Sequence, residues 1–395
     1  LNILVTGMGI ITAIGDSVAA NHTALKEGRC GIGNDRHLFP SRYSGVLPFG
    51  EVPFTTEELS SRLHIDPKGV TRTALLALHA FEESVKDAGL SMQDICSAGT
   101  ALISASTVGG MCLTDELFAD AQAADHGSEY LGSYDSASVN FFIRERYPVQ
   151  GIINIINTAC SSSANAIMYG ARLIKQGLAE RAIVGGVDCM AKFTVNGFNA
   201  LHILSNEQCI PFDENRKGLN LGEGAAFLVL EREEDVKDKK VYARLSGYAN
   251  TNDAYHPSSL SDEGDGPFLS MKEALQAASL ETTQISFINA HGTGTENNDL
   301  VESRAMLRLF GTVPPFASTK SNTGHTLGAA GAVEAVYSIL NIIHQEFYPH
   351  LHFSQPIGET GLIPQTRYQP AEVTHVMSNS FGFGGNCSSL IFSKA

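Results

Sequence analysis

The chain has 395 residues, of which 43% are hydrophobic and 17% charged, with a formal net charge of −15. That length and composition give a globular protein able to bury one large core or two fused ones. The acidic balance, with no basic tract to interrupt it, excludes nucleic acid as a partner and gives no support for binding to an anionic membrane surface.

The opening "LNILVTGMGIITAIG" contains a strand, "NILVTG". It lacks the basic segment of a signal peptide, and Gly7, Gly9 and Gly15 interrupt it. No run of about 20 apolar residues follows, so no membrane insertion is expected. An amphipathic helix is predicted around Thr71–Ala88. It runs into "AGLSMQDI" (Ala88–Ile95) and the strand "TALISAS" (Thr100–Ser106). "GIINIIN" (Gly151–Asn157) reads as a buried strand, and a helix with Ala164, Ile167, Met168, Ala171 and Leu173 near its apolar face starts at Ser161. After the strand "AAFLVLE" (Ala225–Glu231) comes a charged connector, "EREEDVKDKK" (Glu231–Lys240). It sets the expected boundary between residues 1–238 and 239–395.

The second part repeats the first. It opens with the strand "VYARLSG". A helix around Pro267–Leu280 then runs into "ASLETTQI" (Ala278–Ile285) and the strand "ISFINA" (Ile285–Ala290). The spacing Ala-x-Leu-x-x-x-x-Ile occurs in both parts. "INTACSSSANAIMYGARLIK" and "TKSNTGHTLGAAGAVEAVYSIL" each form a polar turn followed by a helix that begins with small residues. Strands alternating with helices imply parallel βαβ units, so the expected fold class is α/β, duplicated about a pseudo-twofold axis. A site in such a fold collects loops from both halves at the carboxyl ends of strands.

Three segments carry chemistry. Cys160 sits at a strand-to-helix turn, where a helix N-terminus favours a thiolate and lowers the thiol pKa. Cys30, Cys96, Cys112, Cys189 and Cys209 have no such setting and are read as structural. The seven cysteines form no CxxC pair, so neither a disulfide framework nor a zinc ribbon is indicated, and a reduced, cytoplasmic setting fits. His291 follows an apolar strand in "NAHGTGTENND", and His325 precedes a glycine- and alanine-rich helix. Neither shows HxxxH or HExxH spacing, so zinc is not indicated there. One cysteine with two histidines and no metal points to acyl-thioester chemistry. Lys320 and Glu334 flank His325 and are placed to form a charge pair that orients the site. In "SNSFGFGGNCSSLIF" (Ser378–Phe392) three glycines surround two phenylalanines, Phe381 and Phe383, on a turn before a terminal strand.

Together these segments resemble the β-ketoacyl-[acyl-carrier-protein] synthases of the thiolase-like superfamily. The motifs, in order, are "ILVTGMGIITAIG", "TACSSS", "PFDENRKGLNLGEGAAFLVLE", "DAYH", "NAHGTGT", "STKSNTGHTLGAAGAVE" and "NSFGFGG". The resemblance implies a five-layered αβαβα fold and a homodimer, paired through a strand expected at Ala182–Val187. A heterodimer with a chain-length partner is the variant of this. It implies decarboxylative condensation of an acyl group on Cys160 with malonyl-acyl carrier protein, the chain-elongation step of bacterial fatty-acid synthesis, with no cofactor beyond the carrier's phosphopantetheine arm. By the same resemblance His291 and His325 stabilise the enolate, Lys320 and Glu334 form a buried ion pair, and Phe383 is the gate. The N–H groups of Cys160 and Phe383 form the oxyanion hole. Thr293, Thr295 and Ser258 hold the phosphopantetheine arm, and Val108, Phe198 and Phe381 line substrate space. Asn289, Glu334, Ser378 and Asn379 match a monovalent-cation cluster of some relatives. Lys68 and Arg72 are candidate docking cations for the carrier.

Two features depart from the family pattern. The gate continues "GFGGNC", which places Asn386 and Cys387 where the family commonly has "TN", and the stretch before "PFDENR" is short. The second feature keeps open the same reaction in a specialised polyene or polyketide-type pathway. A thiolase would need a second catalytic cysteine near the C-terminus; Cys387 lies there, but in the wrong motif. A non-catalytic chain-length subunit would lack the nucleophile.

Overall fold

A computed structural model describes residues 1–36, 38–123, 125, 128, 130–236 and 239–395. The centre of the charged connector, and with it the expected boundary at 238, lies outside the described residues. The first half contributes β1 (Ile3–Thr12), β2 (Thr100–Ala105), β3 (Ile153–Ile156), β4 (Arg181–Asp188) and β5 (Gly224–Arg232). The second contributes β6 (Ala243–Asn252), β7 (Phe287–Asn289), β8 (Phe316–Ala317), a small pair β9 (Glu346–Phe347) and β10 (Gln369–Pro370), then β11 (His375–Gly382) and β12 (Asn386–Ser393).

Strand order displays the duplication. It runs β3-β2-β4-β5-β1-β6-β12-β11-β7-β8, so each half, read outward from the central β1–β6 pair, places its strands in matching order. Pairing matches too. The outer strands β3, β2, β4 and β8, β7, β11 are parallel, while β5 and β12 run antiparallel to both their neighbours. The sheet is therefore mixed, not purely parallel: β12 follows β11 through a tight turn that reverses the chain, and β5 takes the matching antiparallel place in the first half. The repeated Ala-x-Leu spacing has a local cause. Gly89 (φ +64°) and Ser279 (φ +55°) both take left-handed turns at helix ends. Leu90 and Leu280 then donate their N–H groups back to Val85 and Leu275, at 3.0 Å each.

Seven helices matter for the site: α1 (Val18–Lys26), α2 (Arg72–Asp87), α3 (Ser162–Lys175), α4 (Lys192–Ala200), α5 (Asp265–Ala278), α6 (Glu296–Phe310) and α7 (Ala330–His344). Helix α2 covers the outer face of β1, β5 and β4, and α5 covers β6 and β12 with α6 against it. Helices α3 and α7 pack on each other between the two half-sheets, giving αβαβα layering. Close approach of the outer helices needs glycine. A Cβ on Gly9 of β1 would lie 2.0 Å from the Ala80 carbonyl oxygen of α2, and one on Gly247 of β6 would lie 2.3 Å from the Ala274 carbonyl oxygen of α5. The apolar run Leu327–His344, which ends in α7, is long enough to cross a membrane but is 89% buried inside the protein.

Two expectations are corrected. "GIINIIN" is not a buried strand: β3 is the sheet's outer edge, with Asn154 exposed and its isoleucines half-buried. Ala182–Val187 lies in β4 between β2 and β5, so its ladder positions are filled and it offers no edge to a partner.

Candidate active site

The nucleophile turn is built from small hydroxyl residues. Ala159, between β3 and Cys160, has φ +54°, a conformation strained for a residue with a Cβ. The side chains of the serines hold it. Ser161 Oγ donates to the Thr158 carbonyl at 2.8 Å, and Thr158 N–H donates to Ser162 Oγ at 2.8 Å. Ser163 Oγ accepts the Ala332 N–H at 2.9 Å, which ties the start of α3 to α7 of the other half. Cys160 therefore stands just before the first turn of a fixed helix, where the two halves meet.

Both histidines reach this point. His325 Nε2 lies 3.1 Å from Cys160 Sγ. Its Nδ1 accepts the Leu327 N–H at 3.1 Å, so the ring proton of the neutral imidazole sits on Nε2. Its backbone is held by the "GLNLGEG" loop: His325 N–H donates to Asn220 and Gly222 N–H donates to His325, at 2.8 and 2.9 Å. The His291 ring lies edge-on to His325 with centroids 5.4 Å apart. Lys320 Nζ stands 3.2 Å from His291 Nδ1 and donates to the His291 carbonyl at 2.5 Å. An ammonium has no lone pair, so His291 Nδ1 is the acceptor and its proton also lies on Nε2. Burial, then the charge of Lys320, holds both imidazoles well below their ordinary pKa, so both are neutral donors at physiological pH. Lys320 is paired with Glu334, whose carboxyl burial raises to about 7 against the pull of Lys320.

Two cavities meet at Cys160. One, of about 390 Å³, is lined by His291, His325, Thr293, Thr295, Ser258 and Phe381, among others. The second, of about 450 Å³ and largely apolar, lies among Thr107, Phe193, Phe198, Leu201 and Leu327. Phe383 and Phe198 border both and stack on each other, with centroids 5.7 Å apart and planes 16° apart. This stacked pair divides the polar chamber from the apolar one. The Phe383 N–H faces the Cys160 sulfur and favours its anion. Gly384 and Gly385, at φ +77° and +76°, make the turn. The Asp253 N–H donates to Gly385 at 2.8 Å and Asn252 Nδ2 donates to Gly384 at 2.9 Å.

The structure moves several expected residues. Val108 lines neither cavity; it is buried, and its N–H donates to Asp188 at 2.8 Å. Arg72 is committed to the buried Glu223 at 2.5 Å, so it is no docking cation, whereas Lys68 is exposed. Cys387 is buried with Leu260, Val301 and Phe381 and lines neither cavity, so the thiolase role is lost. Cys30, Cys96, Cys112, Cys189 and Cys209 also lie outside both linings. In the cation cluster, Asn289 Oδ1, Glu334 Oε2 and Ser378 Oγ are buried with no hydrogen-bond partner among the described residues. The Asn379 side chain is engaged elsewhere, accepting from Ser389 Oγ at 2.9 Å and donating to Glu302 at 3.3 Å.

Three carboxylates that sequence reasoning passed over organise the loops. Glu302 accepts the N–H groups of His291 and Gly292, at 2.9 Å each, and Asp299 those of Thr293 and Gly294, at 2.9 and 3.0 Å. Buried Asp188 accepts from Ser106 Oγ, from Thr107 and Val108 after β2, and from Gly328 after His325. It thus joins the wall of the apolar cavity to the His325 loop.

Residues 2–236 match the β-ketoacyl synthase N-terminal domain and residues 242–354 the β-ketoacyl synthase C-terminal domain. The chain belongs to the β-ketoacyl synthase family. It is 32% identical over 416 aligned residues to 3-oxoacyl-[acyl-carrier-protein] synthase 2 of Vibrio harveyi, with 99% of this chain and 98% of the relative covered. The enzyme of the same name from Staphylococcus aureus (strain N315) gives the same figures. Among solved structures, the ishigamide ketosynthase/chain length factor superposes with a TM-score of 0.93 at 28% identity, covering 100% of this chain and 99% of that one. The ketosynthase ApeO of Xenorhabdus doucetiae, solved with its chain length factor ApeC, gives 0.85 at 32% identity, covering 100% and 98%. This β-ketoacyl synthase accordingly has the thiolase-like fold and is a condensing enzyme of the acyltransferase class.

One expectation about the nucleophile is reversed. Burial raises the Cys160 thiol to about 11, although Lys320 and the Phe383 N–H pull it down. Inactivation by iodoacetamide should therefore climb about tenfold per pH unit from neutrality towards that value, because only the thiolate reacts. A rate that levels off below pH 8 would mean that the helix start outweighs burial.

Proposed function

We propose that this chain is a 3-oxoacyl-[acyl-carrier-protein] synthase that lengthens an acyl chain by two carbons. The observation that carries this reading is the pair of neutral imidazoles. Each has its Nδ1 occupied, so two Nε2–H donors stand beside one buried thiol. In the first step Cys160 sulfur attacks the thioester carbonyl of an acyl-carrier protein. The N–H groups of Cys160 and Phe383 receive the oxyanion, the carrier sulfur departs with the thiol proton, and the acyl chain occupies the apolar cavity. In the second step the malonyl arm enters the polar chamber along Thr293, Thr295 and Ser258. His291 and His325 donate to the malonyl thioester oxygen, carbon dioxide leaves, and the enolate carbon attacks the acyl-Cys160 carbonyl. The carbon–sulfur bond breaks and one proton restores the thiol.

No cofactor beyond the carrier's phosphopantetheine arm enters this scheme, and its setting is the cytoplasm. The three unpartnered oxygens of Asn289, Glu334 and Ser378 favour a bound monovalent cation, which would neutralise the outer oxygen of Glu334. A second reading keeps the reaction but assigns it to a polyketide-type pathway. It is favoured by a TM-score of 0.88 at 26% identity to a type II polyketide ketosynthase solved with its acyl-carrier protein.

The chain is also read as half of a dimer, homodimeric or shared with a chain-length partner, that pairs through β3 and not β4. Ile155 N–H turns to its neighbour's Asn154 Oδ1, at 2.8 Å, which leaves β3 with a free outer edge. Phe141 and Phe193, 57% and 63% exposed, are large apolar side chains with nothing packed over them among the described residues.

His325→Ala should retain much of the acylation of Cys160, while carbon dioxide release from malonyl-carrier protein falls about 10²–10³-fold. Stopped-flow acylation and radiolabelled carbon dioxide release on one preparation separate the two. Equal losses would remove the enolate role from His325. Light scattering of the wild-type chain should give roughly twice 42.2 kDa. Ile155→Pro deletes an N–H that β2 does not use and should return the protein to one chain's mass. A dimer indifferent to that substitution would place the interface elsewhere.

A further inference from the structure

We propose that His22, His344 and Glu346 form a binding site for a divalent transition-metal ion, Zn²⁺ or Ni²⁺, separate from the catalytic centre. The three residues come from α1, the last turn of α7 and β9, so the site links the first half of the chain to the second. One ligand atom from each lies within 4.8 Å of the other two. His22 Nε2 is 2.6 Å from Glu346 Oε1, and the His22 and His344 rings stack with centroids 3.6 Å apart. None of the three borders either cavity at Cys160.

The donor chemistry selects the ion. Two imidazoles and one carboxylate form a borderline set that suits zinc, nickel or copper and is poor for magnesium or calcium, which take oxygen ligands. Glu346 is held in place for the task. Its side chain is 5% exposed, and the Tyr368 hydroxyl donates to Oε2 at 2.6 Å, leaving Oε1 for the cation. The imidazole planes lie 8° from parallel, so their lone pairs lie in two parallel planes. Convergence requires His344 to rotate, and His344 is exposed at a helix end. The ion would take the place of the hydrogen bond between His22 Nε2 and Glu346 Oε1. Its one cationic competitor on the carboxylate among the described residues is Lys26, with Nζ 4.0 Å from Oε2 and its side chain 51% exposed. Lys240 also bears on His344 electrostatically.

The test uses the untagged full chain carrying Cys160→Ala, because Cys160, His291 and His325 are themselves close enough to hold an ion. ZnCl₂ is titrated against a chromophoric chelator, and thermal unfolding is followed with zinc and with EDTA. The expected result is one equivalent bound and a melting temperature raised by zinc and lowered again by EDTA. His344→Ala should weaken binding by more than about 10-fold, the scale set by loss of even an outer-shell partner. Lys26→Gln should tighten it. His344→Asn is the second variant should His344→Ala melt lower in EDTA than its parent. Absence of stoichiometric binding, or an affinity unchanged by both His344 variants, overturns the proposal.

Discussion

One buried ammonium sets the terms for the rest of this site. Lys320 faces Glu334 on one side and His291 Nδ1 on the other, with no water-exposed route for its charge. Its hydrogen bond fixes the tautomer of His291, and its positive charge adds to burial in keeping His291 and His325 unprotonated. The same charge lowers the cost of an anion at Cys160. A cation placed here, behind the two histidines, thus favours developing negative charge at the nucleophile while the imidazoles remain donors. That is the condition an enolate needs, because a donor counts most where charge appears only during the reaction.

The duplicated fold is what brings these groups together. Cys160 belongs to the first half and both histidines to the second, and α3 and α7 meet along a line of small residues. Ser163 Oγ fixes their register through the Ala332 N–H. Carboxylates do the remaining alignment from beneath: Glu302 and Asp299 under the His291 loop, Asp188 between the apolar cavity and the His325 loop. Division of labour between the chambers follows from the Phe198–Phe383 stack, which separates a polar approach from an apolar store at the sulfur atom.

Periodicity and spacing were enough to find the repeat, since its Ala-x-Leu signature reflects the same left-handed helix ending at Gly89 and Ser279. Cys160, His291 and His325 were legible because each stands at a strand end or helix start. What stayed hidden depends on distant partners. Arg72 looks like a surface cation until Glu223, far along the chain, takes it up. Val108 acts through its backbone N–H, which no side-chain argument reveals, and Asp188 appears as an ordinary strand-ending acid until Thr107 and Gly328 converge on it. The strand before Cys160 has the apolar composition of a buried one although it lies at an edge, because composition records burial against any neighbour, within the chain or outside it. The thiol pKa went astray for a related reason: a helix start is visible in sequence, while the burial that overrides it is a property of the packed whole.

The central claim is that His291 and His325 are neutral and carry their protons on Nε2. Nitrogen-15 NMR of histidine-labelled protein tests it most directly, with the two residues assigned by comparison with single substitutions. The account predicts that both show an unprotonated Nδ1 and a protonated Nε2, unchanged across the neutral range of pH. An imidazolium signal from either ring, or a proton on Nδ1 of His325, would contradict it.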